Sequence, residues 1–127
     1  MKTFIILLRG IMPTGKNKVP MAPLREALST AGLQDVRTYI QSGNVVARSG
    51  FSQQRIETLV SEVIKENFAG EITVVARSSD QFSDILQQNP FKKADGKKQY
   101  FSLLATQPDK QLLKELLNTD FSPDTVR

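Results

Sequence analysis

Val36-Arg37-Thr38-Tyr39-Ile40-Gln41-Ser42-Gly43-Asn44-Val45-Val46-Ala47-Arg48 is the stretch whose reading decides the fold. Two β-rich runs flank Ser42-Gly43, and a two-residue connection containing Gly predicts a tight β-hairpin, because Gly reaches the positive φ such turns require. With that turn, the cross-strand partners are Gln41 with Asn44, Ile40 with Val45, Tyr39 with Val46, Thr38 with Ala47 and Arg37 with Arg48. Side chains alternate between faces along a strand. Val36, Thr38, Ile40, Val45 and Ala47 therefore form a core face, and Arg37, Tyr39, Val46 and Arg48 share the other. Two arginines directly opposite each other repel unless they reach water, an anion or a carboxylate.

Upstream, Thr3 to Leu8 is an Ile- and Leu-rich run that predicts a strand buried on both faces, hence a central one. Arg9 to Lys18, with two glycines, a proline and two lysines, is a loop. A helix is expected from Met21 to Ala31, with Met21, Leu24, Leu28 and Ala31 on one stripe, Pro23 in its first turn and Gly32 as its C-terminal cap. Downstream of the hairpin, Ser52 is an N-cap for a helix to Phe68 whose Ile56, Leu59, Val60, Val63, Ile64 and Phe68 make a wide apolar face. Gly70 is expected to close it, and Ile72 to Arg77 reads as a strand.

This order is βαββαβ, the ferredoxin-like arrangement in which two helices cover one face of a four-stranded antiparallel sheet, here with strand order 4-1-3-2. The fold class is α+β. Residues 1–77 form that unit. Residues 78–127 form an incomplete second one: a short helix capped by Ser79, a lysine-rich loop around Gly96, a strand from Tyr100 to Ala105, and a helix opened by Pro108 with Leu112, Leu113, Leu116 and Leu117 on its buried side. A half-built unit cannot bury its own faces, so it is expected to dock on the helix-free face of the first sheet or on a second chain.

The chain of 127 residues has no Cys and no His, and a net charge of +4. That removes disulfides, thiol and Ser-His or Cys-His nucleophilic catalysis, and the usual zinc ligands. No cofactor is expected, and no acid/base pair can be named, so the reading leans away from an enzyme. The apolar run after Met1-Lys2-Thr3 is too short for a signal peptide and nothing reaches membrane-spanning length, which makes a cytoplasmic protein with no membrane partner the expectation.

Leu7-Leu8-Arg9-Gly10-Ile11, Gly15-Lys16-Asn17-Lys18 with Met21 and Leu24, the hairpin from Asp35 to Val46, and Asn89-Pro90-Phe91 together resemble bacterial domain-of-unknown-function family 1697. The likeness runs through most of the chain. It implies an α+β fold with ferredoxin-like subdomains and brings no activity, substrate or catalytic residues. Members usually continue to a C-terminal Arg-Asn-Trp signature, which this sequence lacks, so it resembles a member without the family's C-terminal part.

In a βαββαβ unit, the end of the first strand, the first loop, the start of the first helix and the hairpin turn lie at one edge of the sheet. Arg9, Lys16, Asn17, Lys18, Gln41, Ser42 and Asn44 are therefore expected to be neighbours. Cationic side chains, loop N–H groups and a helix N-terminus pointing one way suit an anionic small molecule or a nucleic acid. Loop geometry and solvated lysines would account for the same residues. Gly10 to Asn17 nearly spells a phosphate-binding P-loop, but Asn17 stands where Ser or Thr would hold Mg²⁺ and the helix starts late. At the opposite edge, Lys2, Arg37, Arg48 and Arg77 gather near Tyr39, a basic and aromatic sheet surface of the kind that binds RNA. Pairing of Arg37 and Arg48 with Asp109, Glu115 or Asp120 is the favoured alternative. Lys92, Lys93, Lys97 and Lys98 read as a solvated run. A protein–protein or self-association module, dimerising through the open sheet face or the C-terminal leucines, is the second functional reading.

Overall fold

The structure, a computed structural model, describes residues 1–12, 14–39, 43–91 and 99–127. The chain divides into two compact units, Met1–Gln87 and Gln88–Arg127. In chain order the first holds β1 (Lys2–Arg9), α1 (Met21–Thr30), β2 (Gln34–Tyr39), β3 (Asn44–Ser49), α2 (Gln53–Phe68), β4 (Thr73–Ser78) and α3 (Ser79–Gln87), and the second holds α4 (Lys110–Asn118). The four strands form one antiparallel sheet in the order β2-β3-β1-β4, the expected ferredoxin-like order read from its other edge.

β1 is central, as expected, but it alternates: Phe4, Ile6 and Leu8 are buried, whereas Ile5 and Leu7 are half-buried. Its buried side joins Val45, Ala47, Val74 and Ala76 of the neighbouring strands and Leu24, Leu28, Ile56, Val60 and Ile64 of α1 and α2 in one core. A central strand in a two-layer fold has helices on one face only, which is why its apolar run is not buried twice.

α1 ends as the sequence requires. Gly32 sits at φ +111 and donates to Ser29 O, while Leu33 donates to Leu28 O at 3.1 Å and packs back into the core. These are the paired bonds of a Schellman closure. α2 begins on Ser52, whose Oγ accepts the Arg55 N–H at 3.2 Å.

Four local expectations are corrected. The hairpin pairs Tyr39 with Asn44, Thr38 with Val45 and Arg37 with Val46, so Arg37 does not face Arg48, and the expected partners Ile40 and Gln41 lie outside the described residues. The shift is two residues, an even number, and the two faces survive it: Val45 and Ala47 are buried, Arg37, Tyr39 and Arg48 exposed. The left-handed cap of α2 is Ala69, at φ +56, rather than Gly70. α3 is capped by Ser78 instead of Ser79: Ser78 Oγ accepts the Gln81 N–H while Gln81 Oε1 accepts the Ser78 N–H, a capping box. Tyr100 to Ala105 form no strand, since among the described residues no neighbour offers them a ladder.

In the second unit, α4 is capped by Asp109, whose Oδ1 accepts from Gln111 and Leu112 N–H. None of its residues is buried, and Leu112, Leu113, Leu116 and Leu117 are all exposed.

Candidate functional site

One end of the sheet gathers the connections that the topology brings together. β1 finishes there at Arg9, opposite Thr73 at the start of β4, and Leu7 lies opposite Asn44 at the start of β3. The Leu8 N–H donates to Gly43 O at 2.9 Å and ties the hairpin to the end of β1. Gly43 is required on two counts. Its φ is +88, and a Cβ would fall 2.9 Å from Leu8 O and 3.2 Å from Ile11 Cδ1.

The loop after β1 is closed on itself by Met12 N–H to Asn17 O at 2.9 Å and Lys18 N–H to Gly15 O at 3.2 Å. It is also fastened to the connection between α2 and β4. Asn17 Oδ1 accepts the Glu71 N–H at 3.0 Å, and Lys16 Nζ lies 3.4 Å from Glu71 Oε2. At Gly70 beside it, a Cβ would crowd Ile64 Cγ2 at 3.1 Å while meeting Asn17 Oδ1 at an ordinary 3.6 Å. α1 then starts at Met21, with Pro20 at its N-cap, no side-chain cap and no acidic residue in its first turn. Its first amide groups therefore keep their partial positive charge toward this edge. The late start also separates the loop from a P-loop, whose helix begins at the lysine.

The expected residues divide accordingly. Arg9 and Lys18 are exposed, and their side chains have no ion pair or hydrogen bond among the described residues. Asn44 is half-buried and its Nδ2 donates to Tyr39 O at 3.3 Å. Lys16 and Asn17 both contact Glu71, a residue that no motif singles out. Gln41 and Ser42, like Lys92, Lys93, Lys97 and Lys98, lie outside the described residues.

Two members of the second basic group, Arg48 and Arg77, pair with acidic residues of their own unit. Arg48 meets Asp35 at 3.5 Å, both side chains half in water, where such a pair contributes at most about 1 kcal/mol. Asp35 reaches it from a left-handed backbone at φ +50, inside the register shift between Gln34 and Arg37. Arg77 meets Glu57 at 3.8 Å with both side chains largely covered, and the same Glu57 Oε2 accepts the Ala76 N–H at 2.9 Å. The acidic partners are thus Asp35 and Glu57; Asp35 replaces the expected Asp109, Glu115 or Asp120 for Arg48, and Arg37, expected to pair with the same residues, has no ion pair among the described residues.

The far end of the sheet has a cleft of about 580 Å³ lined by Lys2, Phe4, Phe51, Gln53, Asp80 and Asp84 among others, with Gln81 Nε2 donating to Gln53 Oε1 at 3.3 Å across its rim. No motif announced it, because its walls come from five separate elements, β1, β3, α2, β4 and α3. Among the described residues, no group of three or more Asp and Glu stands close enough to hold a metal ion. No described helix is long and apolar enough to cross a membrane.

With the geometry in place, comparison with known proteins adds the following. The family described as "Protein of unknown function (DUF1697)" matches residues 1–127, the whole sequence. The chain belongs to that family. Among solved structures, the DUF1697 chain is similar to the conserved bacterial protein SP0830 from Streptococcus pneumoniae, at 31% identity and a TM-score of 0.64. That alignment covers 71% of this chain and 50% of the other, so the chain spans about half the length of that relative. No curated protein matches it.

Proposed function

We propose that this DUF1697 chain is a binding module for an anionic ligand, taken up where the loop after β1, the start of α1 and the hairpin meet. The observation that supports the reading most is the Leu8–Gly43 hydrogen bond, which holds the hairpin against the end of β1, the strand that finishes at Arg9; Arg9 and Lys18 have no ion pair among the described residues. Asn44 and the uncapped amides of α1 border the same edge. An anion there would gain from charge, from N–H donors and from the helix dipole together. Lys16 and Asn17 take a supporting role, holding the loop closed through Glu71.

The test is thermal unfolding of the full chain with inorganic phosphate, citrate, nucleotides and short oligonucleotides, alongside Arg9→Ala/Lys18→Ala. A ligand at ten times its Kd stabilises by about 1.4 kcal/mol, which raises Tm by about 5 °C for a domain of this size. The double variant should lose that rise. Failure of every anion to stabilise the wild type, or an equal rise in the variant, overturns the reading.

A second reading, association with another protein or with a second copy, is favoured by α4, whose four-leucine stripe is uncovered. A mass that rises with concentration, and falls back in Leu113→Ser/Leu116→Ser, would select it.

A further inference from the structure

The basic side chains of the first unit fall into two classes. Lys16, Arg48 and Arg77 are held by Glu71, Asp35 and Glu57, Arg25 donates to Thr38 Oγ1, and Arg55 lies 5.3 Å from the centre of the Phe51 ring. These are engaged in the fold itself. Lys2, Arg9, Lys18, Arg37 and Lys65 are exposed and have no such partner among the described residues.

Strand alternation sets two of the free cations on one surface. Phe4, Ile6 and Leu8 point into the core, so Arg9 belongs to the helix-free face of β1, and Arg37 and Tyr39 belong to the same face of β2. The register aligns Tyr39 with Asn44 and Leu7, and Arg37 with Val46 and Ile5. Arg37 is about 7 Å along the strand from Tyr39, and β1 lies two strands, about 10 Å, across from β2.

This face is uneven. Tyr39 is 72% exposed at one end of its cross-strand row, whereas Val75 at the other end is 6% exposed. A tyrosine ring so far in water contributes little to folding. What it offers is a flat π-surface between two unneutralised guanidinium groups, which suits a ligand that alternates flat rings with negative charges. Inorganic phosphate and citrate lack the ring, and a duplex hides its base faces. A single strand presents both, and stacking on an aromatic residue beside basic groups is how sheets hold one.

We propose that the β2–β3 half of the helix-free face binds single-stranded nucleic acid, with Tyr39 stacking on a base and Arg37 and Arg9 contacting flanking phosphates. This rests on the anionic-ligand reading above and narrows it to one chemical class.

The experiment is fluorescence anisotropy of a labelled twelve-residue oligothymidylate with the full chain, across a salt series. Unlabelled inorganic polyphosphate and a twelve-base-pair duplex serve as competitors. Tyr39→Ala should weaken binding about tenfold and Tyr39→Phe should leave it nearly unchanged, since stacking needs only the ring. Arg9→Ala/Arg37→Ala should lower the slope of log K against log salt by about 1.4, two phosphate contacts at ~0.7 each. All three side chains are exposed, so far-ultraviolet circular dichroism should be the same in every variant. Equal competition by polyphosphate or duplex, with no effect of Tyr39→Ala, overturns this inference and leaves the anion reading standing. No binding of either oligothymidylate or polyphosphate overturns both.

Discussion

α2 and α4 carry equally regular apolar stripes and end in opposite circumstances. α2 buries Ile56, Val60, Val63 and Ile64 beneath the sheet, while α4 buries nothing and leaves Leu112, Leu113, Leu116 and Leu117 in water. Periodicity states that a helix face needs a cover. It does not state what the cover is, and only for α2 is the cover another stretch of the same pattern, the strands on either side of it. A nine-residue helix with no packed face is marginal alone.

Substitution in the two stripes measures that difference directly. Ile64→Ala, at a site with no exposure, should cost about 3 kcal/mol in urea unfolding. Leu116→Ala on α4 should stay within about 0.5 kcal/mol, as exposed substitutions do. A cost for Leu116→Ala comparable to that for Ile64→Ala would mean that the α4 face is covered in solution, and the contrast would collapse.

A smaller effect is expected at the contact that fixes the first unit's loop edge. Gly43→Ala places a side chain at positive φ and against Leu8 and Ile11, and should cost about 2 kcal/mol. It should also shift the amide resonances of Leu8 and Ile11, while those of α4 stay in place.

The smallest effect belongs to the second unit. Ser122 Oγ and N–H both donate to Asp120 Oδ1, first the side-chain and then the backbone bond holding its carboxyl below its usual value of 3.8. A depressed folded-state pKa means that this turn is fully stabilised above the unfolded value and loses its support as pH falls through the folded one. The Ser122 amide shift should therefore titrate with a midpoint below 3.8, with no accompanying change in the first unit's core. A midpoint at or above that value would show the turn unformed.

The sequence made the element order and the two hairpin faces legible because each rests on patterns within a dozen residues: alternation in β2 and β3, the Ser52 cap, the Gly32 and Leu33 closure. Even the misjudged turn left the faces intact, since its error was an even number of residues. What was illegible depends on distance. Glu71 lies 54 residues from Asn17, and no local pattern joins them, so the contacts that Lys16 and Asn17 make with it were not readable from the sequence. Gly70 looked like the helix cap, when Ala69 takes the left-handed position and a Cβ at Gly70 would crowd Ile64. Among the described residues, nothing distant pairs with Arg9 or Lys18. Tyr100 to Ala105 had strand composition but no partner, and a strand is a property of a pair.

The bond from Ala76 N–H to Glu57 has a bearing on how this protein behaves at high concentration. β4 is an outer strand, and an outward N–H there is a template on which another chain could grow a cross-β stack. Glu57 occupies that donor with a carboxylate and holds Arg77 beside it, so an incoming strand would meet charge where it needs a free amide. At the other rim, Asp35 and the register shift bend β2 out of line. Both margins of the four-stranded sheet are thus poor templates for a further strand.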